Sequence, residues 1–319
     1  MKKNTKIFIA GHKGMVGSSI VRVFKENGFK NLIFFDRNLL DFENSTQINK
    51  IFKKFNPEVV IIAAAKVGGI NANRIYPYNF IYNNLKIEIN LIEASRQFQV
   101  KKLIFLGSSC VYPKFSKQPI REKFLLSSDL EFTNRSYAIA KIAGIELCAS
   151  LNRQFKTKFL SIMPCNLYGP NDNYDLKNSH VLPALIKKIH IAKKQNEKFI
   201  TLWGSGKPLR EFLYVDDLSE CILYILKLNQ RKYNDLISSN NFSLVNTGSG
   251  DEISILNLAK KISKIIGFDG SIKFDNSYPD GTPRKVLDNS VINQLGWHSK
   301  VDLNTGIRLT YDSFLKSKN

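Results

Sequence analysis

Three side chains have the types and spacing to reduce a carbonyl group together: Ser108, Tyr137 and Lys141. The Tyr-x-x-x-Lys spacing puts phenol and ammonium on one helix face, a turn apart. A lysine ammonium there is expected to lower the tyrosine pKa from about 10 and ease proton donation to a carbonyl oxygen. Ser108 ends a short apolar run, where its hydroxyl could hold the carbonyl. The same spacing occurs at Tyr82 and Lys86, but no serine precedes that pair and it falls in a segment that reads as a packing helix.

Cys110 and His180 suggest a second kind of chemistry. Cys110 lies two positions after Ser108, so in an extended segment both side chains would face the same way. A lone cysteine is more often a small core residue, and a lone histidine more often structural. Protons on carbons flanking a ketone are, however, acidic enough for either group to remove. Inverting such a centre needs a base on one face and an acid on the other, and ordinary pKa values of about 8.5 and 6.5 suit those roles. Cys148, Cys165 and Cys221 read as core residues. The four cysteines lack metal-ligand spacing and do not suggest a disulfide framework, so no metal is expected.

An anion site is written near the N-terminus as Gly11-His12-Lys13-Gly14-Met15-Val16-Gly17. Glycines at this spacing, between a strand and a helix, let backbone approach a pyrophosphate whose charge sits on the helix N-terminus. The end of the second strand, Asp36-Arg37, would read the adenosine ribose. An acid there would bond a free 2′-hydroxyl and an arginine would pair with a 2′-phosphate. The two signals conflict, and the phosphorylated cofactor is favoured.

These groups need rigid elements to position them. Strands are predicted at residues 6–10, 32–35, 59–65, 102–106 and 159–163, and helices at 15–27, 44–55, 79–99 and 136–155. Buried, non-alternating strands separated by helices argue for an α/β fold with a doubly wound parallel sheet covered on both faces. After Pro164 the pattern loosens into loops at 168–179, 203–210 and 277–284. A strand over 211–215 followed by a helix suggests that the chain returns to the first domain there. Residues 1–167 plus 211–247 are thus expected to form a dinucleotide-binding domain, and 168–210 plus 248–319 a smaller, discontinuous substrate-binding lobe.

With 319 residues, 43% hydrophobic and 23% charged, the chain has the make-up of a globular protein. It has no apolar run approaching the ~18 residues of a membrane span and no secretory signal pattern. A cytoplasmic location with no membrane partner is therefore expected. The net charge of +20 comes from dispersed lysines rather than a basic block. A compositional bias is weighed above steering of anionic ligands, and that above nucleic-acid binding.

Several stretches carry a resemblance: Ala63-Ala64-Ala65-Lys66-Val67-Gly68-Gly69, Gly107-Ser108-Ser109-Cys110-Val111-Tyr112-Pro113, Tyr137-Ala138-Ile139-Ala140-Lys141, Ser179-His180-Val181, Trp203-Gly204-Ser205-Gly206 and Asp280-Gly281-Thr282-Pro283-Arg284-Lys285. Together they resemble the GDP-L-fucose synthase family of extended short-chain dehydrogenase/reductases over nearly the whole chain. The resemblance implies a Rossmann-type fold and a homodimer formed through the helices at 79–99 and 136–155. It implies a GDP-4-keto-6-deoxy sugar as substrate, NADP(H) as cofactor, and epimerisation at C-3 and C-5 before reduction at C-4. Cys110 would then be the epimerisation base and His180 the acid. Tyr137 would protonate the C-4 oxygen, with Lys141 tuning it and Ser108 orienting the carbonyl. The cofactor would lie against residues 11–17, Arg37, Asp41, Leu106, Gly107, Ser108, Ser109, Tyr137, Lys141, Pro164, Cys165, Asn166, Leu167 and His180. Lys188, Trp203, Arg210 and Asp280 would hold the GDP-sugar.

Two positions depart from that family's pattern. Phe35-Asp36 replaces a more basic run, and Lys188 stands where arginine is common, keeping charge but losing bidentate geometry. Another GDP-4-keto sugar, such as a heptose, is the alternative substrate. A 4,6-dehydratase is disfavoured because it would want a carboxylate where Ser109-Cys110 stands. An RNA-binding role would predict lost catalytic residues.

Overall fold

The computed structural model describes residues 1–176, 179–277 and 280–317. Residues 177–178 and 278–279, within two of the loops read from sequence, and the terminal 318–319 lie outside the described residues. Strand β1 (Ile7–Ala10) is apolar and buried throughout, as a strand covered on both faces must be. It leads into α1 (Met15–Glu26), whose buried stripe is Gly17, Ser19, Ile20, Val23 and Phe24. β2 (Leu32–Ile33) is two residues shorter than expected. Phe34 stacks on His12 at 4.7 Å between centroids and Phe35 packs edge-on to Phe55 at 5.5 Å, so these rings leave the ladder for side-chain packing. α2 (Ser45–Phe55) starts at Asn44, whose side chain accepts from the Gln47 amide.

β3 (Val59–Ile62) also ends early, at 62 rather than 65. The Ala63 amide still donates to Ala10 O at 3.0 Å. Beyond it, buried Asn84 accepts from the Lys66 amide at 2.8 Å and donates to the Lys66 carbonyl at 3.0 Å, drawing the chain out of the sheet. Then come α3 (Ile70–Ile75), α4 (Pro77–Gln97), β4 (Lys102–Leu106), α5 (Arg135–Phe155) and β5 (Phe159–Pro164). α4 begins two residues earlier than predicted because Pro77 takes the first helical position, where its missing N–H costs nothing. α4 and α5 pack against each other.

The second half contains β6 (Asn166–Tyr168), α6 (Val181–Lys194), β7 (Phe199–Trp203), β8 (Leu209–Tyr214), α7 (Val215–Lys227), α8 (Gln230–Ile237) and β9 (Leu244–Thr247). It closes with β10 (Glu252–Ser254), α9 (Ile255–Ile266), β11 (Ser271–Asp275), β12 (Arg284–Lys285), α10 (Ser290–Gln294) and α11 (Leu303–Lys316). Six strands form one parallel sheet in the order β2-β1-β3-β4-β5-β9, a doubly wound, Rossmann-like arrangement. The direction of travel across the sheet reverses between β1 and β3, and the crevice at the carboxyl ends beside such a switch point is where ligands bind.

β8 does not join this sheet. It pairs with β10, β12 and β6, although the sequence placed it in the first domain. Period-two alternation explains the position: Leu213 packs into the core around the large sheet, while Phe212 and Tyr214 join a second core with Leu185, Ile189, Leu258 and Ile307. The chain returns to the large sheet through α7, which packs on α1. There the Ser19 hydroxyl donates to Asp216 at 2.6 Å and lies 2.7 Å from the Ser219 hydroxyl. Buried Glu211 on β8 accepts from the Gly250 amide at 2.7 Å, the Leu287 amide at 2.9 Å and Asn289 Nδ2 at 3.1 Å. This carboxylate fixes β12 beside β8, with Lys285 opposite Arg210. Among the described residues, no helix is long and apolar enough to cross a membrane.

Candidate active site

β4 delivers Leu106, Gly107 and Ser108 to the crevice, and α5 places Tyr137 and Lys141 across from them. Lys141 is only 2% exposed. Its Nζ donates to the Leu106 carbonyl at 3.1 Å and lies 3.0 Å from Glu88 Oε1, a buried carboxylate on α4. Burial pushes the Glu88 carboxyl up, against the opposing pull of Lys141. The lysine Nζ lies 5.9 Å from the Tyr137 ring centroid.

Tyr137 departs from the sequence expectation. Its phenol pKa is raised well above 10, by burial first and then by Cys110 and Glu88 on their anionic side, with the Ser108 hydroxyl opposing. Burial, which the spacing argument left out, outweighs the lowering expected from Lys141. A phenol in this setting stays protonated, the state from which it donates.

Cys110 reaches the cluster by a different route from the one expected. Ser108 is extended, but Ser109–Val111 forms a 3₁₀ turn, closed by Val111 N to Ser108 O at 3.1 Å. The turn, rather than strand alternation, brings the thiol back to the Ser108 hydroxyl. Burial pushes the Cys110 thiol up, while Lys285, Ser108 and Lys141 pull it down. Lys285 lines the same cleft as Cys110, together with Gln118 and Thr282. His180 caps the start of α6, with its side chain open to solvent although protein surrounds it on most sides. That enclosure, and then Lys285, lower its pKa below 6.5. Lys285 is thus the charge that Cys110 and His180 share.

The glycine loop fits a pyrophosphate. Gly11 has φ 90°, and a Cβ there would meet Ala64 N at 2.7 Å; one on Gly17 would lie 2.1 Å from Gly11 O. α1 has no acidic residue in its first turn and no side chain capping Gly14, so its amides remain available to an anion. Asp36 takes Lys13 Nζ at 2.8 Å and lies 3.1 Å from His12 Nε2. Arg37 is 87% exposed and 3.6 Å from Glu43, while the Asp41 carboxylate accepts from the Glu43 amide at 3.0 Å. Met15 and Val16 open α1. The segment Pro164, Cys165, Asn166 and Leu167 follows the part of β5 that pairs with β4. It is held by Cys165 N to Thr247 O at 3.0 Å and Asn166 Nδ2 to Glu211 O at 2.9 Å.

The four substrate-binding candidates form two pairs. Lys188 donates to Thr201 O at 2.7 Å, with its Nζ 5.7 Å from the Trp203 ring. Asp280 accepts from the Ser205 amide at 2.6 Å and hydroxyl at 2.7 Å, and faces Arg210 electrostatically. Burial depresses Lys188 and Arg210, and burial and Arg210 depress Lys285 against the pull of Cys110. Cations under such pressure are relieved by an incoming anion. Sequence reasoning missed Glu88 and the part played by Lys285. Glu88 and Asn84 lie one turn apart in a buried stripe with Phe80, Leu91 and Ser95, and polar residues in that stripe were the available signal. Lys285 carries no comparable signal, since the pairing of β12 with β8 brings it to Arg210 and to the cleft it shares with Cys110.

The family described as "NAD dependent epimerase/dehydratase family" matches residues 7–236. GDP-L-fucose synthase 1 of Arabidopsis thaliana is 48% identical over 99% of this chain and 94% of its own length. The GDP-L-fucose synthase of Escherichia coli K12 is 46% identical over 98% of each. The structure of the GDP-mannoheptose C4 reductase of Campylobacter jejuni with NADP bound superposes with a TM-score of 0.89 at 37% identity, covering 99% of both chains.

The electrostatics predict that alkylation of Cys110, followed site by site by mass spectrometry, rises with pH to a midpoint above that of an ordinary thiol. In Lys285→Met the midpoint should move higher still, because a cation that favours the thiolate is gone. An unchanged midpoint would separate Lys285 from the thiol.

Proposed function

Because the chain belongs to the NAD dependent epimerase/dehydratase family, we propose that it converts GDP-4-keto-6-deoxy-D-mannose to GDP-L-fucose, inverting C-3 and C-5 and then reducing C-4. It is an NADP(H)-dependent oxidoreductase with epimerase activity. One arrangement carries the mechanism: the Ser108 hydroxyl is close enough to the Cys110 thiol and the Tyr137 phenol to oppose the rise in both their pKa values. A single carbonyl against that hydroxyl would be within the influence of both groups.

In this reading Cys110 removes a proton from a carbon flanking the ketone and His180 returns one to the opposite face. Lys285 favours the thiolate, and a diphosphate beside Arg210 and Lys285 favours the imidazolium. Ser108 holds the C-4 oxygen throughout. Tyr137 then donates its proton to that oxygen, while Lys141 keeps its contacts with Glu88 and the Leu106 carbonyl. NADPH, when bound, supplies the hydride. Residues 11–17 would hold its pyrophosphate and Arg37 its 2′-phosphate, with Asp41, Leu106, Gly107, Ser109, Pro164, Cys165, Asn166 and Leu167 along its length. Lys188, Trp203, Arg210 and Asp280 would hold the GDP-sugar.

Residues 1–167 with 211–247 would carry the cofactor, and 168–210 with 248–319 the sugar nucleotide, with β8 as their border. The likeness to a heptose reductase makes a GDP-4-keto heptose the alternative substrate, while the 46–48% identities favour the fucose precursor. Four free, buried cysteines support a reducing, cytoplasmic setting.

A homodimer through α4 and α5 is also part of the reading. Tyr78, Ile89 and Ile139 on these helices are 66%, 50% and 42% exposed, an apolar surface that a second copy would cover. Light scattering should give twice the 36.4 kDa chain mass, and a monomeric mass would refute the pairing.

The two half-reactions should separate by mutation. Tyr137→Phe is expected to lower NADPH oxidation by at least about 100-fold while substrate protons still exchange with solvent. Cys110→Ser should lose most exchange. Equal loss of both activities in both variants would contradict the division of labour.

A further inference from the structure

The residues at the adenosine end of the crevice carry opposite signals at one point. Asp36, just beyond β2, is the acid that would bond an unphosphorylated ribose, and Lys13 and Arg37 are cations that would pair with a 2′-phosphate. Here the acid is engaged: Lys13 Nζ lies 2.8 Å from one oxygen, and His12 Nε2 3.1 Å from the other. The partners differ in freedom. His12 is 15% exposed and stacked on Phe34, whereas Lys13 is 72% exposed.

An ion pair as exposed as Lys13–Asp36 contributes little, so Lys13 can leave it at small cost. His12 keeps the carboxylate in place when that happens. The trio therefore has two usable arrangements. With Lys13 turned outward and Arg37 beside it, the site meets a phosphate dianion, with Asp36 close by as an opposing charge. With Lys13 kept on Asp36, the carboxylate can accept from a ribose hydroxyl.

We propose that Asp36 makes this site accept both phosphorylated and unphosphorylated nicotinamide dinucleotides, by weakening the hold on a 2′-phosphate and offering an acceptor to a free 2′-hydroxyl. This rests on the dinucleotide reading of the glycine loop and goes beyond use of NADP(H) alone. Asp36 is the selectivity residue; Lys13 is its counterweight.

Calorimetric titration of the full chain with NADP⁺ and with NAD⁺, at low ionic strength and without sugar substrate, tests it. The wild type should bind both. Asp36→Asn should raise the NADP⁺:NAD⁺ affinity ratio about tenfold, the size expected when one unit charge is removed from beside a dianion in water-like surroundings. Lys13→Met should lower the ratio through NADP⁺ alone. A wild type that binds NADP⁺ but not NAD⁺, or an Asp36→Asn variant with an unchanged ratio, would overturn the proposal. Binding of neither dinucleotide would overturn the cofactor reading and this inference with it.

Discussion

The buried ammonium of Lys141 is the constraint on which the rest of the site depends. It is 2% exposed, and its partners are the Leu106 carbonyl at the end of β4 and the Glu88 carboxylate on α4. Removing one partner of a buried pair typically costs about 3–5 kcal/mol, because the other charge is left without compensation. The pair therefore locks α5 to both the sheet and α4, and with α5 it fixes Tyr137 opposite Ser108. Burial there, with smaller contributions from Cys110 and Glu88, holds the phenol as a proton donor. Gly144 completes the lock, since a Cβ there would meet the Phe105 ring at 2.5 Å.

A second tier of charge acts from the other side of the pocket. Glu211 pins β12 to β8, and that register sets Lys285 beside Arg210 and within reach of Cys110 and His180. Burial and mutual repulsion hold these cations in an unfavourable state that a bound diphosphate would relieve. Binding and proton chemistry are thereby linked through one lysine.

Much of this was legible in the sequence because the signals were local. The glycine loop, the buried run of β1 and the Tyr137–Lys141 spacing each follow from neighbouring residues. Non-local facts were not legible. β8 read as the chain's return to the first domain because its sequence is strand-like, but its alternation serves two cores. The 3₁₀ turn at Ser109–Val111 replaced an extended segment. The phenol moved opposite to expectation because burial in the folded pocket, which spacing along one helix does not reveal, outweighs the lysine one turn away, with Cys110 and Glu88 adding to the rise. Lys285 comes to the cleft of the thiol on a strand, β12, that pairs with β8 far away in sequence.

The central claim is that proton removal at carbon and reduction of the ketone occur in the same pocket around Ser108. Its most direct test is to supply GDP-4-keto-6-deoxy-D-mannose and NADPH in deuterated water and map the product by NMR. Deuterium at both C-3 and C-5, with hydride from the cofactor at C-4, is the predicted result. A product reduced at C-4 with no deuterium at either neighbouring position would contradict the account and leave a simple ketoreductase.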